Sequence, residues 1–420
     1  MTRRRQRIFA GLLCAGLLSG CAGPAGAADP GPNVEEHWSV LEETGRLPAV
    51  GSRWRDGPME ELTPAPDYGA LVPFAGAAYY LGGYDGSWAD DFPNYLYGLM
   101  TLDGCAVLDP VCDSISRLSW IDGDGQDQWL PVWKLARSGP DGDLMDGALS
   151  ALAALDGSWS TPFQYWGAAG SPVGIFAGDG EDLYLLDSGS GAEKTRWSWE
   201  ELGITEPENF PWFTGDAYST AQWQDGLFYL GSWGEDYDAR LLDPETGEVT
   251  VITDRAWAER LDAAFQHRDM DWWEVTTGED DSVTVSKGAE VYTFPSPLPG
   301  ESYPYEMDGR VLFQDYGSGS FAVTTREGEL VLPAQKGELS TLEPEGGKYL
   351  AVQKTPDGDW QLYDWDGNPG VLLPGGTESW CRTAGPLVEV HSRENAAYYR
   401  PDTGECVFRA WFGLEERPGL

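Results

Sequence analysis

From Tyr68 onward the chain keeps a β pattern with no sustained 3.6-residue period. The constraint is sharpest at residues 225–252. There DGLFYLGSW is an aromatic and aliphatic run that suits a strand buried on both faces. ARLL at 239–242 supplies a second strand. Asp243-Pro244-Glu245-Thr246-Gly247 reads as a tight turn, because Pro fixes φ early and Gly supplies a positive φ late. Glu248-Val249-Thr250-Val251 then alternates polar with apolar, as a half-buried outer strand does. A meander of three or four strands cannot cover both of its faces by itself. The chain must stack several such units.

Gly/Asp turns divide the rest into strand-rich units at 68–119, 129–166, 173–199, 217–253, 271–294, 309–339, 347–374 and 381–412. Only residues 256–266 suggest a turn of helix inside this region. Two turns are near copies: Asp243-Pro244-Glu245-Thr246-Gly247-Glu248 and Arg400-Pro401-Asp402-Thr403-Gly404-Glu405. Self-similarity every ~30–50 residues predicts an all-β fold, a single β-propeller of seven or eight blades. Closing the ring disposes of exposed strand edges. Stacked sandwiches and a β-solenoid are the alternatives, and the irregular period and bulky aromatics argue against the solenoid.

The segment Tyr97-Gly98-Leu99-Met100-Thr101-Leu102-Asp103-Gly104-Cys105-Ala106-Val107-Leu108-Asp109-Pro110-Val111-Cys112-Asp113-Ser114-Ile115 resembles a WG-type repeat. It has the aromatic-Gly start, two apolar residues, a turn closing on Gly, an apolar strand, then Pro and a last apolar residue. Cys112 stands where such repeats carry an aromatic. Residues 319–333 and 360–374 resemble the pattern weakly and lack its start. The resemblance implies a bacterial β-repeat protein, often a surface lipoprotein, and no catalytic residues.

The first residues carry an address. Thr2-Arg3-Arg4-Arg5-Gln6-Arg7 precedes an uncharged run from Ile8 to Leu18. That is a basic region and a short apolar region, as in a secretory signal. Leu18-Ser19-Gly20-Cys21 resembles the bacterial lipobox, which implies lipidation of Cys21 and a membrane anchor on the extracytoplasmic face. Residues 1–20 are expected as the signal, 21–66 as tether and irregular lead-in, and 67–420 as the propeller. Without the four signal arginines, 27 − 4 = 23 basic residues face 69 acidic ones, a balance of −46. Nucleic acid is therefore not an expected partner, since it needs a positive face.

Cys105, Cys112, Cys381 and Cys406 remain after the signal and the lipobox cysteine. In an exported chain they suggest two disulfides, and of three connectivities Cys105–Cys112 with Cys381–Cys406 is the preferred one.

The chain holds 20 Trp, whose first expected role is to fill the wedge-shaped gaps between blades. Because Trp also stacks on sugars and anchors interfaces, a carbohydrate or cell-wall site on one propeller face is the alternative. Trp233 is one such residue. His267-Arg268-Asp269-Met270-Asp271-Trp272-Trp273-Glu274 is the densest polar-aromatic group. On a strand Asp269 and Asp271 share one face and Trp272 the other, so Asp269, Asp271, Trp272 and Trp273 are candidate ligand contacts. Ile121-Asp122-Gly123-Asp124-Gly125-Gln126-Asp127 resembles the calcium loops of integrin-type propellers, which makes Asp122, Asp124 and Asp127 candidate Ca²⁺ ligands. Trp120 and Gln128 replace two of the acids such loops carry, and a solvated turn is the alternative. No other cofactor is expected. The three histidines stand apart, and no GxSxG, HExxH or phosphate loop occurs. The leading expectation is a non-catalytic binding or scaffold module with a protein or cell-wall glycan partner. The alternatives are a carbohydrate-active propeller using a carboxylate pair beside Trp platforms, and an accessory lipoprotein of a transport system.

Overall fold

The computed structural model describes residues 62–65, 68–79, 94–121, 127–137, 149–205, 222–224, 226–231, 239–252, 273–298, 302–376, 378–392 and 395–411. They form 29 strands in eight separate antiparallel sheets. Each sheet is a meander of consecutive strands, and together they make a β-propeller. The first blade holds β1 (Leu71–Tyr79), β2 (Asn94–Thr101) and β3 (Ala106–Cys112). The second holds β4 (Ser114–Ile121), β5 (Asp127–Arg137) and β6 (Leu149–Ala154). Bridges from Ser150 to Tyr165 and from Ala153 to Ser160 extend that sheet at its outer edge.

The third blade is β7 (Gly167–Ser171), β8 (Gly174–Gly178), β9 (Asp182–Leu186) and β10 (Glu193–Ser198). The fourth is β11 (Gln222–Gln224), β12 (Leu227–Gly231), β13 (Ala239–Leu242) and β14 (Val249–Ile252). The fifth is β15 (Glu274–Thr277), β16 (Ser282–Lys287) and β17 (Glu290–Pro295). The sixth is β18 (Tyr303–Met307), β19 (Arg310–Asp315), β20 (Ser320–Thr325) and β21 (Leu330–Lys336). The seventh is β22 (Glu338–Leu342), β23 (Tyr349–Gln353), β24 (Trp360–Asp364) and β25 (Pro369–Leu373). The eighth is β26 (Trp380–Ala384), β27 (Leu387–His391), β28 (Asn395–Tyr399) and β29 (Cys406–Trp411).

The opening strands of neighbouring blades touch: β4 with β7, β7 with β11, β22 with β26. They therefore line the axis, and the later strands step outward. The fourth blade shows why the residues choose these places. Phe228, Tyr229 and Leu230 are fully buried in β12, covered on both faces. In β14 Ile252 is buried and Val251 is 52% exposed, so the covered face is not the one that the Val249/Val251 alternation predicts. Gly247 closes the turn at φ 74°, and its amide donates to the Asp243 carbonyl at 2.7 Å. Gly404 repeats the arrangement at φ 71° against Arg400.

Blades are held face to face by seven apolar clusters, one at each seam except that between the fourth and fifth among the described residues. The ring closes where β1 meets β26, β28 and β29. Phe74 of the first blade packs edge-on against Phe408 of the eighth at 5.0 Å. A bulge in β1 between Ala75 and Ala77 turns one amide outward, and Ala75 N–H donates to the Tyr398 hydroxyl at 2.6 Å. Gly98 lies where a Cβ would come within 2.3 Å of the Leu108 carbonyl, so the aromatic-Gly start of that segment serves close strand packing.

Neither preferred disulfide is formed. Cys105 precedes β3 and Cys112 ends it, opposite Thr101 and Tyr97 of β2, so the bulged strand holds them roughly 13 Å apart at ~3.3 Å per residue of β2. Cys381 sits in the innermost strand and Cys406 in the outermost, three strand spacings or about 14 Å apart. A disulfide needs Cα atoms within about 7 Å. Cys112 and Cys381 are buried, and burial pushes both thiols well above the usual range. Four unit boundaries also move. β4 opens the second blade rather than closing the first, β7 adds a strand before Val173, β18 adds a strand before Gly309, and β22 opens the seventh blade rather than closing the sixth. The turn of helix read at 256–266 lies outside the described residues.

Candidate functional site: an aromatic rim with a buried charge cluster

Because every blade runs in the same sense, the strands that line the axis start on one side of the ring. We call this side the leading rim. In the sixth to eighth blades the rim pairs are Tyr303 with Gln314, Glu338 with Gln353, and Trp380 with His391. Corresponding pairs in the second and third blades are small, Ser114 with Ala136 and Gly167 with Gly178. The fourth and fifth blades carry Gln222 with Tyr229 and Glu274 with Ser286 at the same level, so polar pairs run round much of the rim, and exposed aromatic rings mark the sixth and eighth blades. Tyr303 is 57% exposed, Tyr316 70% and Trp380 37%, values rarely left uncovered for rings of this size. Tyr303 and Tyr316 lie 5.9 Å apart, and the Tyr316 hydroxyl donates to Gln314 Oε1 at 2.8 Å. Glu338 is exposed between the two aromatic stations.

Behind Trp380 sits a charge cluster. On β26 and β27 the pairs Trp380/His391, Arg382/Glu389 and Ala384/Leu387 share one face of the sheet. Arg382 Nε and Nη2 donate to the two oxygens of Glu389 at 2.9 and 3.1 Å. His391 Nδ1 lies 2.6 Å from Glu389 Oε1. His391 stacks on Trp380 at 4.1 Å and meets the edge of Tyr95 at 4.2 Å. The Arg382 guanidinium lies over the Tyr97 ring at 5.2 Å. Tyr95 and Tyr97 come from the first blade, so the cluster straddles the seam that closes the ring.

Burial alone would raise the Glu389 pKa. The Arg382 charge and the His391 hydrogen bond override it and hold the carboxyl at about 2. Burial pulls the His391 pKa below the ordinary imidazole value, against the opposing pull of Glu389. At neutral pH the ring is uncharged, and its Nδ1–H donates to the carboxylate. The linkage has one sign for both groups. The unfolded imidazole takes up a proton near ~6.5, before the folded one does, so His391 contributes stability above that pH and loses it below. Glu389 behaves likewise lower down, from an unfolded value of ~4.3 toward about 2. The urea midpoint is expected to hold level from about pH 8 to 7 and to fall below ~6.5. His391→Phe should flatten the upper part of that fall. An unchanged limb in the variant would remove His391 from the explanation.

Of the residues singled out in the sequence, Trp273 is described and half-buried. Its ring receives the Arg326 guanidinium at 4.3 Å, and Arg326 Nε and Nη2 donate to Glu306 Oε1 at 2.8 and 2.6 Å. Trp273 therefore packs the seam between the fifth and sixth blades. Trp233, Asp269, Asp271 and Trp272 lie outside the described residues, as do Asp122 and Asp124. Asp127 opens β5 opposite Ile121, and its side chain is not among those described. Among the described residues no group of three or more His, Cys, Asp or Glu is placed to hold a metal ion. The rim aromatics and the charge cluster were not singled out, although Trp380-Cys381-Arg382 and Leu387-Val388-Glu389-Val390-His391 alternate in step around a Gly-Pro turn. That alternation puts Arg382 opposite Glu389, and it was readable.

The chain matches no family model and no curated protein. Among solved structures it is similar to the dihydro-heme d1 dehydrogenase NirN in complex with DHE, with 12% identity and a TM-score of 0.34. That match covers 93% of this chain and 81% of that one. It is also similar to the β-propeller domain of Myceliophteria thermophila Cps50 (Swd1), at 13% identity and a TM-score of 0.23, over 71% and 94% of the two chains. Hsv2p of Kluyveromyces lactis overlaps at 10% identity and a TM-score of 0.23, over 54% and 70%. Likeness at this level carries no functional argument, and the fold rests on the sheet order given above.

Proposed function

We propose that the chain is a lipid-anchored, extracytoplasmic propeller that binds a protein partner on its leading rim and catalyses nothing. The observation that carries this reading is the set of exposed rings on one rim, Tyr303 and Tyr316 on the sixth blade and Trp380 on the eighth, with the seventh blade between them. Trp, Tyr and Arg dominate the energetics of protein interfaces, and Arg382 stands beside Trp380. The formal charge of −42 and the exposed Glu338 favour a basic partner surface. The address at Leu18-Ser19-Gly20-Cys21 supports the anchored location, and Cys21→Ser should release the protein from membranes.

A photo-crosslinking residue at position 303 on intact cells tests the reading. It should capture one protein, while the same residue at Trp129, 53% exposed at the start of β5, should not. With that partner purified, Tyr303→Ala and Trp380→Ala should each weaken binding by roughly 2 kcal/mol, about 30-fold. Equal capture from both positions, or full affinity in both variants, would sink the proposal. Capture of glycan rather than protein would move the reading to a wall contact.

A further inference from the structure

One buried charge has no answer within the described residues. Lys134, in the middle strand β5 of the second blade, is 8% exposed. Among the described residues no oxygen accepts from its Nζ and no carboxylate pairs with it. Two other buried charges are treated differently. Arg240 donates to the Leu202 and Gly203 carbonyls at 3.0 and 2.8 Å, and Glu389 is met by Arg382 and His391. Burial alone draws the Lys134 amine down to about 8, and no nearby carboxylate pulls it back. At neutral pH it is therefore still mostly protonated, with three N–H donors and one charge unanswered. Leaving such a group bare costs stability.

The side chains around it are small and neutral. Register puts Ser116 of β4 and Leu152 of β6 beside Lys134 on one face of the sheet. Two residues nearer the leading rim the same face carries Ser114, Ala136 and Ser150. That face turns toward the third blade, where Ala168 and Ala177 oppose it. Ala136, Ser150 and Leu152 are buried, whereas Ser114 and Ser116 are exposed. The way in to the amine is therefore past the two serines, from the axis that β4 lines. Their hydroxyls make no hydrogen bond among the described residues.

We infer that Lys134, with Ser114 and Ser116, forms a binding site for a small monocarboxylate, entered from the axis at the second and third blades. A carboxylate brings the acceptors that the ammonium and the hydroxyls lack, and its single charge matches the single charge of the amine. A phosphate dianion would leave one charge over. Ser and Ala leave room for a short ligand and offer no platform for a ring. The acidic surface is no bar to entry, because at physiological salt charges beyond about 8 Å are largely screened. No acid lies on this face of the second blade among the described residues. The inference does not rest on the rim aromatics, which lie on the sixth and eighth blades.

Thermal melting of the full chain in acetate, lactate, phosphate or chloride at one ionic strength tests it. Lys134→Met keeps the length of the side chain and removes the charge, so it should melt above wild type in chloride. In acetate or lactate at ~100 mM, wild type should gain about 2–4 °C more over chloride than Lys134→Met does. Ser116→Ala, a change at an exposed hydroxyl, should lose about half of the wild-type gain and serves if Lys134→Met misfolds. The inference is overturned if neither carboxylate stabilises wild type beyond chloride, if phosphate stabilises it more than both, or if the gain in both variants equals that of wild type.

Discussion

Replacing Glu389 with Ala should destabilise the protein by about 3–5 kcal/mol. Glu389 is 1% exposed and is the shared acceptor of Arg382 and His391. Removing it strands a guanidinium over Tyr97 and a buried imidazole beside Trp380, with no carboxylate to answer either. The loss would fall on the ring-closing seam, since Tyr95 and Tyr97 belong to the first blade and the cluster to the eighth. Urea unfolding followed by Trp fluorescence would measure it. Glu389→Gln keeps one acceptor oxygen that Arg382 Nη2 and His391 Nδ1 can share, and should lose less. The triple replacement of Arg382, Glu389 and His391 by apolar residues should recover much of the loss, because the cost lies in isolated charges rather than in a missing pair. An Ala variant as stable as wild type would show that the cluster does not hold the seam.

Trp360→Ala should cost about as much, 3–5 kcal/mol, by a different route. Trp360 is fully buried in the seam between the seventh and eighth blades, packed with Leu342, Leu362 and Leu373. Truncation leaves a cavity that the surrounding strands cannot collapse into without breaking register. Its Nε1–H also donates to Ser379 Oγ at 3.0 Å, and that oxygen accepts from Gln353 Nε2 at 2.8 Å. Trp360→Phe separates the two contributions, keeping most of the volume and losing the hydrogen bond for about 1 kcal/mol. If Phe and Ala cost the same, the hydrogen bond rather than the packed volume sets the position.

The outer and middle strands were legible because their surroundings sort side chains by polarity. Leu227–Gly231 lies between two covered faces and reads as an unbroken apolar run. Val249–Ile252 shows its place as an outer strand by its polar neighbours, although the covered residue is Ile252 and not Val251. The axis-lining strands are different. Gly167–Ser171 is made of Gly, Ala and Ser, because β7 lies in contact with β4 on one side and β11 on the other. Gly170 leaves only 2.7 Å from its would-be Cβ to the Ser119 carbonyl. Tyr303–Met307 contains Pro304, which weakens its strand signal. Crowding at the axis thus erases the pattern that a periodicity argument needs. The rim was hidden because it is assembled from the first residues of strands far apart in the chain, which only the ring brings to one side. Cysteine pairing failed on another ground: sequence proximity says nothing of position across a sheet, and Cys381 and Cys406 occupy opposite edges of one blade.

The seam between the first and eighth blades has a kinetic meaning. Ala75 and Tyr398 meet across 323 residues, the longest loop closure among the described hydrogen bonds. Every other seam can form between blades adjacent in the chain. This one must wait until the eighth blade exists, and its high contact order makes it the natural slow step of folding. Until then the apolar face of β1, with Val72 and Phe74, has nothing to cover it and is the surface most open to aggregation. Once closed, the ring has no free end from which blades can peel away one at a time, so a barrier at this single joint governs how long the native state survives.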